Sequence, residues 1–327
     1  MNISPRVAMD QPLGAIDSTY WCPCCHTSAL VSKKEFLNCP VCDKDYPIVG
    51  EVPILINDKN SVFAIADYLS SDSYVGASYG SKSEKASGLR LLYRRFAHSI
   101  SETGIKRNHL DAEDAINKLC LESTKRPKIL VIGSGDARYS DSADFVYSDV
   151  SITKGVTLIA DAHDLPFPDG AFDLVVAVAV LEHVANPQRV VEEIWRVLEP
   201  SGYVYAVTPF LQPVHMGAYD FTRFTHLGHR RLFRMFSEEA SGLALGPASV
   251  LAWSIRSLLL SLSANRMYRR LANLSGLIIT FPLKYLDYLT RNNPAAIDGA
   301  GGVYFFGRKQ DTAISDRELI QLYRGGF

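Results

Sequence analysis

Between residues 129 and 207 short apolar runs alternate with amphipathic stretches, and a chain patterned this way buries its strands in a parallel sheet flanked by crossover helices. The runs Ile129-Leu130-Val131-Ile132, Phe145-Val146-Tyr147, Thr157-Leu158-Ile159, 172–180 and 203–207 have the composition of strands buried on both faces. Pro187 and Pro200 bracket a helix whose Val190, Val191, Ile194, Val197 and Leu198 fall on one face. Helical patterns also cover 91–100, 110–121 and 226–239, while 243–245 and 303–306 read as a sixth and a seventh strand.

Composition agrees with a large core, since 47% of the 327 residues are hydrophobic and 21% are charged. The formal net charge of -1 supplies no overall positive field for phosphate backbones, so nucleic acid as a partner is not favoured. The first twenty residues carry charges and proline without the apolar stretch of a secretory signal, which places the chain in the cytoplasm. Its longest apolar run, 174–181, is far shorter than the roughly 20 residues of a membrane-spanning helix.

Five of the six cysteines lie between Cys22 and Cys42, and in a reducing compartment such clustering favours a metal over disulfides. Two CxxC pairs, Cys22 with Cys25 and Cys39 with Cys42, are separated by thirteen residues, the arrangement of two knuckles that offer four thiolates to one tetrahedral zinc. Cys24 leaves open which member of the first pair ligates, although the two-residue spacing favours Cys25. Four filled positions leave none for a substrate, so the zinc is expected to be structural. The expected division is a zinc ribbon with its N-terminal extension over 1–58, a linker and helical lid over 59–108, the sheet domain over 109–310 and a tail over 311–327.

Gly133-Ser134-Gly135 directly after a buried run permits a tight turn with main-chain N–H groups facing a ligand. On its own it is equally a bare turn. Asp149, closing the next run, stands where a carboxylate accepts both hydroxyls of a ribose, and Asp161 opens an apolar corner, Ala162 to Phe167, suited to an adenine. Together these imply a nucleoside ligand on a Rossmann-like α/β fold with a seven-stranded, mostly parallel sheet and helices on both faces, preceded by the ribbon.

The segments ILVIGSGDA, YSDVS, ADAHDLPFPDGAFDLVVAVAVLEHVANP and EEIWRVLEPSGYVYAVTP carry a resemblance. Over residues 129–208 the chain resembles the class I S-adenosylmethionine-dependent methyltransferases, in particular the group related to the ubiquinone-biosynthesis enzymes. That resemblance implies S-adenosylmethionine as cofactor. It also implies a cofactor-binding set of Gly133, Ser134, Gly135, Asp136, Asp149, Val150, Asp161, Ala162, His163, Val180 and Leu181. Two departures stand out: Val131 occupies the place of an acidic residue, for which Asp136 is the candidate substitute, and Ala137 replaces a third glycine. The stretch 46–56 resembles the small zinc-ribbon proteins that activate certain methyltransferases, here fused in cis.

A sulfonium methyl donor needs mainly an aligned acceptor and, where a proton is lost, a base. His183 after the fourth run and His215 after the fifth are the candidate catalytic bases, with a helix cap and a solvated loop as their plain alternatives. Tyr219 and Arg223 lie in a segment that in the resembling enzymes forms part of the acceptor wall. The apolar helical insertion 248–295 reads as a cap over an acceptor pocket, or as a surface for peripheral membrane contact with Arg256, Arg266, Arg269 and Arg270 near headgroups. The expected activity is O-methylation of a small or lipid-linked acceptor. The alternatives are an RNA methyltransferase using the ribbon and a silent cofactor-binding protein, while the oligomeric state is not legible.

Overall fold

The computed structural model describes residues 20–69, 110–290 and 292–326. Strands β1 (Val31–Lys33), β2 (Phe36–Asn38), β3 (Asp45–Val49) and β4 (Val52–Leu55) precede helices α1 (Ile65–Leu69) and α2 (Ala112–Glu122). Then follow β5 (Lys128–Ile132), β6 (Asp144–Asp149), β7 (Leu158–Ala160), β8 (Phe172–Val178), α3 (Pro187–Val197), β9 (Leu198–Pro209), α4 (His226–Leu232) and β10 (Phe236–Leu245). The insertion contributes α5 (Pro247–Ser261), α6 (Arg266–Thr280) and α7 (Asp287–Thr290) before β11 (Gly302–Lys309) and α8 (Asp316–Gln321). The helix expected at 91–100, and the lid beyond residue 69, lie outside the described residues.

The strands form one sheet in the order β1-β2-β3-β4-β7-β6-β5-β8-β9-β11-β10. From β4 to β9 every pairing is parallel, and β11 runs antiparallel to both of its neighbours. The sheet is mostly parallel through its centre, as expected, but among the described residues it has eleven strands rather than seven. The reason is that β7 has a free edge, and β4 fills it with Ile54 opposite Ile159 and Leu55 opposite Ala160. An unpaired edge leaves N–H and C=O groups exposed to chance partners, and here the ribbon covers it.

Side-chain alternation along the strands builds two apolar layers. On one face Ile129 and Val131 of β5 meet Ile116 and Leu119 of α2. On the other, Leu130 and Ile132 share a core with Val190 and Ile194 of α3 and with Leu30, Leu37 and Tyr46 of the ribbon. Both helices start at side-chain caps: Asp111 and Asp114 form a capping box for α2, and Asn186 accepts from Arg189 N ahead of Pro187 in α3.

The helix expected over 226–239 ends at Leu232, and Phe236–Leu245 is a strand instead. Arg230 explains the stop. Its guanidinium is buried, donates to the carbonyls of Phe233 and Phe236, and pairs with Glu238 at 3.0 Å, so the carbonyls that a longer helix would use internally are satisfied by a side chain.

One buried carboxylate joins ribbon and sheet domain. Asp164 Oδ1 pairs with Arg189 of α3 and lies 3.3 Å from His26 Nε2, while Oδ2 accepts from Asn57 Nδ2 at 3.1 Å and Asn60 Nδ2 at 3.0 Å. Burial alone would raise its pKa, but the hydrogen bonds from His26 and Asn60 and the charge of Arg189 hold the carboxyl below its ordinary range. Trp21 N donates to Pro166 O at 2.9 Å beside it. Asp164→Ala should cost about 3 kcal/mol in urea unfolding at pH 7, the low end for breaking a buried pair because Arg189 reaches solvent. A folded pKa below the unfolded one stabilises above about pH 4 and loses its effect as pH falls through the folded value, so the wild-type advantage should shrink below about pH 4.

Candidate active site

The carboxyl ends of β5, β6 and β7 lie level, with Ile132 opposite Ser148, Ser148 opposite Leu158 and Asp149 opposite Ile159. The glycine loop, Asp149 and Asp161 therefore stand side by side at one edge of the sheet, where open α/β sheets bind ligands. Gly133 and Gly135 take φ of +59° and +47°, a region that side chains disfavour. Gly133 is also crowded, because a Cβ there would lie 2.5 Å from Val180 Cγ2. The loop is thus pressed against the end of β8.

Loop and acid hold each other. Gly135 N donates to Asp149 Oδ2 and Ser151 N to Oδ1, both at 2.8 Å, while burial pushes the Asp149 carboxyl upward against those donors. Val150 supplies its carbonyl to Tyr68 Oη at 2.7 Å. The hydroxyls of Ser134 and Ser151 are buried without a hydrogen-bond partner among the described residues. Asp136 is exposed on the loop, and Val131 is buried in the core against α2.

Asp161 and Ala162 are buried at the end of β7. Asp161 Oδ2 accepts from Ser61 Oγ at 2.5 Å, a residue that follows the ribbon, and Oδ1 lies 2.6 Å from His163 Nδ1. Asn186 N donates to His163 Nε2 at 3.0 Å, so the ring proton sits on Nδ1 and is given to Asp161. His163 thereby spends both nitrogens on fixing Asp161 and the start of α3. Leu181 is buried in the core beside Val180.

A cavity of about 540 Å³ opens beyond β8 and β9, lined among others by Ala179, Glu182, Thr208, His215, Leu245 and Gly302. Ala179 holds φ of +56°, a strained value for a residue with a Cβ and one that gathers at functional sites. Glu182 is fully buried, its carboxylate accepts no hydrogen bond from the described residues, and burial pushes its pKa to about 7. His183 Nε2 and His215 Nε2 lie 3.0 Å from each other, and 3.7 Å and 4.0 Å respectively from Glu182 Oε1. The two candidate bases, far apart in sequence, are thus brought together. Tyr219 gives its carbonyl to His183 Nδ1 at 2.8 Å and stacks its ring on Phe63. Arg223 pairs with Asp220 through both terminal nitrogens and donates to the carbonyls of Gln212 and Thr222, so it braces the loop that carries His215.

In the ribbon, the thiols of Cys22, Cys25, Cys39 and Cys42 lie within 4.8 Å of one another, with Cys22 to Cys42 and Cys25 to Cys39 at 3.6 Å. Zinc–sulfur bonds of about 2.3 Å in a tetrahedron separate sulfurs by about 3.8 Å, which this set fits. Cys24 stands outside the group.

Residues 95–206 match the family model described as a methyltransferase domain. The chain is 28% identical over 148 residues to a ubiquinone/menaquinone biosynthesis C-methyltransferase of Hydrogenovibrio crunogenus, covering 43% of this chain and 58% of that protein. It is 43% identical over 63 residues to the chloroplastic 2-methyl-6-phytyl-1,4-hydroquinone methyltransferase 2 of Oryza sativa subsp. japonica, covering 19% and 17%. The chain thus spans little more than half of the first relative and under a fifth of the second. Among solved structures, phosphoethanolamine N-methyltransferase 2 of Haemonchus contortus with S-adenosyl-L-methionine aligns at 14% identity and a TM-score of 0.38, over 66% of this chain and 56% of that one. The match to the methyltransferase domain model thus covers the middle of this chain.

Sequence reasoning passed over Glu182, Ala179, Ser61 and Asp164. Glu182 was visible only as the neighbour of His183, since its burial depends on the loop around Asp220 folding over it. Gly133→Ala should lose about 2–4 kcal/mol in chemical unfolding, from positive φ plus the clash with Val180. Gly135→Ala, with nothing within 4 Å of the added methyl, should lose about 1 kcal/mol. Equal losses would show that Val180 does not pin the loop.

Proposed function

We propose that this protein is an S-adenosylmethionine-dependent methyltransferase that modifies an oxygen of a small or lipid-linked acceptor. The observation that carries this reading is the level alignment of three groups at one sheet edge: the glycine loop after β5, Asp149 at the end of β6 and Asp161 after β7. In this reading Asp149 binds the ribose hydroxyls and Asp161 with Ala162 recognises the adenine, with Val180 on the opposite side and Leu181 backing it from the core.

The cofactor supplies an activated sulfonium methyl group. What this chain adds is position and proton handling. The cavity beyond β8 and β9 holds the acceptor, and its polar end, with Glu182, His183 and His215, is where the acceptor's proton is lost. Cys22, Cys25, Cys39 and Cys42 hold a structural zinc that stabilises the ribbon, whose own core is too small to fold unaided.

A lipid-linked acceptor is supported by the insertion. Leu245 lines the cavity and α5 starts two residues later, so α5 leaves from its rim and α6 packs against it. Leu258, Met267, Leu271 and Ile278 on these helices are each more than 60% exposed, with Arg266, Arg269 and Arg270 exposed nearby. Apolar side chains flanked by arginines are suited to a membrane surface, and no helix among the described residues is long and apolar enough to cross a membrane. Arg256 is drawn inward to Asn273 at 2.9 Å and is not part of that surface.

Calorimetry with S-adenosylhomocysteine tests the cofactor assignment: one molecule should bind per chain, and Asp149→Asn should weaken it at least tenfold. Failure of the wild-type protein to bind would remove the methyl-transfer reading. In co-sedimentation with anionic phospholipid vesicles, wild type should pellet and the pair Leu271→Asp with Ile278→Asp should stay in solution, whereas no pelleting of wild type would remove the membrane contact.

A further inference from the structure

Glu182, His183 and His215 have the composition and spacing of metal ligands. Each offers one donor atom, and the three atoms lie within 4.8 Å of one another, with His183 Nε2 and His215 Nε2 at 3.0 Å. Bonds of about 2.0–2.2 Å at right angles or tetrahedral angles separate ligand atoms by about 3.0–3.5 Å; the histidine pair at 3.0 Å falls in that range, and the separations of 3.7 and 4.0 Å from Glu182 Oε1 lie just beyond it.

The hydrogen bond behind His183 fixes which of its nitrogens faces inward. A carbonyl only accepts, so Tyr219 O at 2.8 Å places a proton on His183 Nδ1 and a lone pair on its Nε2. His215 Nε2 lies within hydrogen-bond distance of that lone pair, and His215 Nδ1 is 3.4 Å from Asp220 Oδ2. A proton between the two rings satisfies the imidazoles but leaves the side-chain oxygens of the fully buried Glu182 without a partner among the described residues. A cation satisfies all three donors at once.

We propose that Glu182, His183 and His215 bind a divalent first-row transition-metal ion at the polar end of the acceptor cavity. The surroundings resemble those of ligating histidines, since His183 has its second nitrogen held by a carbonyl and His215 Nδ1 lies 3.4 Å from Asp220, which is itself fixed by Arg223 and by His215 N at 2.9 Å. Two imidazoles and one carboxylate select manganese, cobalt or zinc over magnesium or calcium, which take oxygen. Three protein ligands leave positions open, and because Glu182 and His215 line the cavity, those positions face the acceptor. There the ion binds the acceptor oxygen and eases loss of its proton to water, so that the two histidines hold the ion rather than take the proton. This role rests on the methyl-transfer reading; the ion site does not.

Manganese is the probe, because it competes poorly for the four ribbon thiolates. The full chain as purified is titrated with Mn2+ and free ion is followed by electron paramagnetic resonance. One ion should bind per chain, and Glu182→Gln and His215→Ala should each weaken it at least tenfold while keeping the wild-type melting temperature. No binding by wild type, or binding equal in folded variants, would overturn the proposal. Cofactor-product calorimetry on the same sample keeps the two claims apart: failure there while Mn2+ binds removes methyl transfer and leaves the ion site standing.

Discussion

The carboxylate of Asp164 is the point on which the architecture turns. A buried charge must be met by donors, and those that meet it come from three separate stretches: His26 and Asn57 from the ribbon side, Asn60 just beyond it, and Arg189 from α3. The corner 161–167 consequently has its shape only when the ribbon is in place. Asp161, three residues earlier, is tied to Ser61 in the same way, and β4 runs parallel to the strand that carries it. The ribbon is therefore built into the wall of the proposed adenosyl pocket.

Apart from the hydroxyls of Ser134 and Ser151, the two proposed ends of the site differ in how their polar groups are settled. At the adenosyl end, Asp149, Asp161 and His163 are engaged by neighbours that fix them in advance. At the acceptor end, Glu182 and Thr208 are buried with unpartnered oxygens among the described residues, and Ala179 keeps a positive φ. A pre-set pocket beside an unsatisfied, strained one fits a protein that holds one ligand firmly and does chemistry on another.

Much of this was legible in the residues themselves. The central strands followed from apolar runs of the right length, and the glycine turn, the two acids and the CxxC spacing follow local rules. What could not be read depends on contacts distant in sequence. The run Val52-Pro53-Ile54-Leu55 would look the same in a free-standing ribbon, and only its pairing with Ile159, more than a hundred residues away, makes it the continuation of a larger sheet. The strand β10 was hidden because 226–239 has helical composition throughout, and the stop depends on Arg230 folding back on carbonyls ahead of it. The convergence of His183 with His215 required the loop braced by Arg223 and Asp220.

Hydrogen exchange before and after metal chelation tests the central claim, that the ribbon and the cofactor corner are one cooperative unit. Stripping the proposed zinc should remove protection both from 20–56 and from β7 with the corner 161–167, because the donors to Asp164 and the β4 pairing go together. Loss confined to 20–56, with the corner as protected as before, would contradict it.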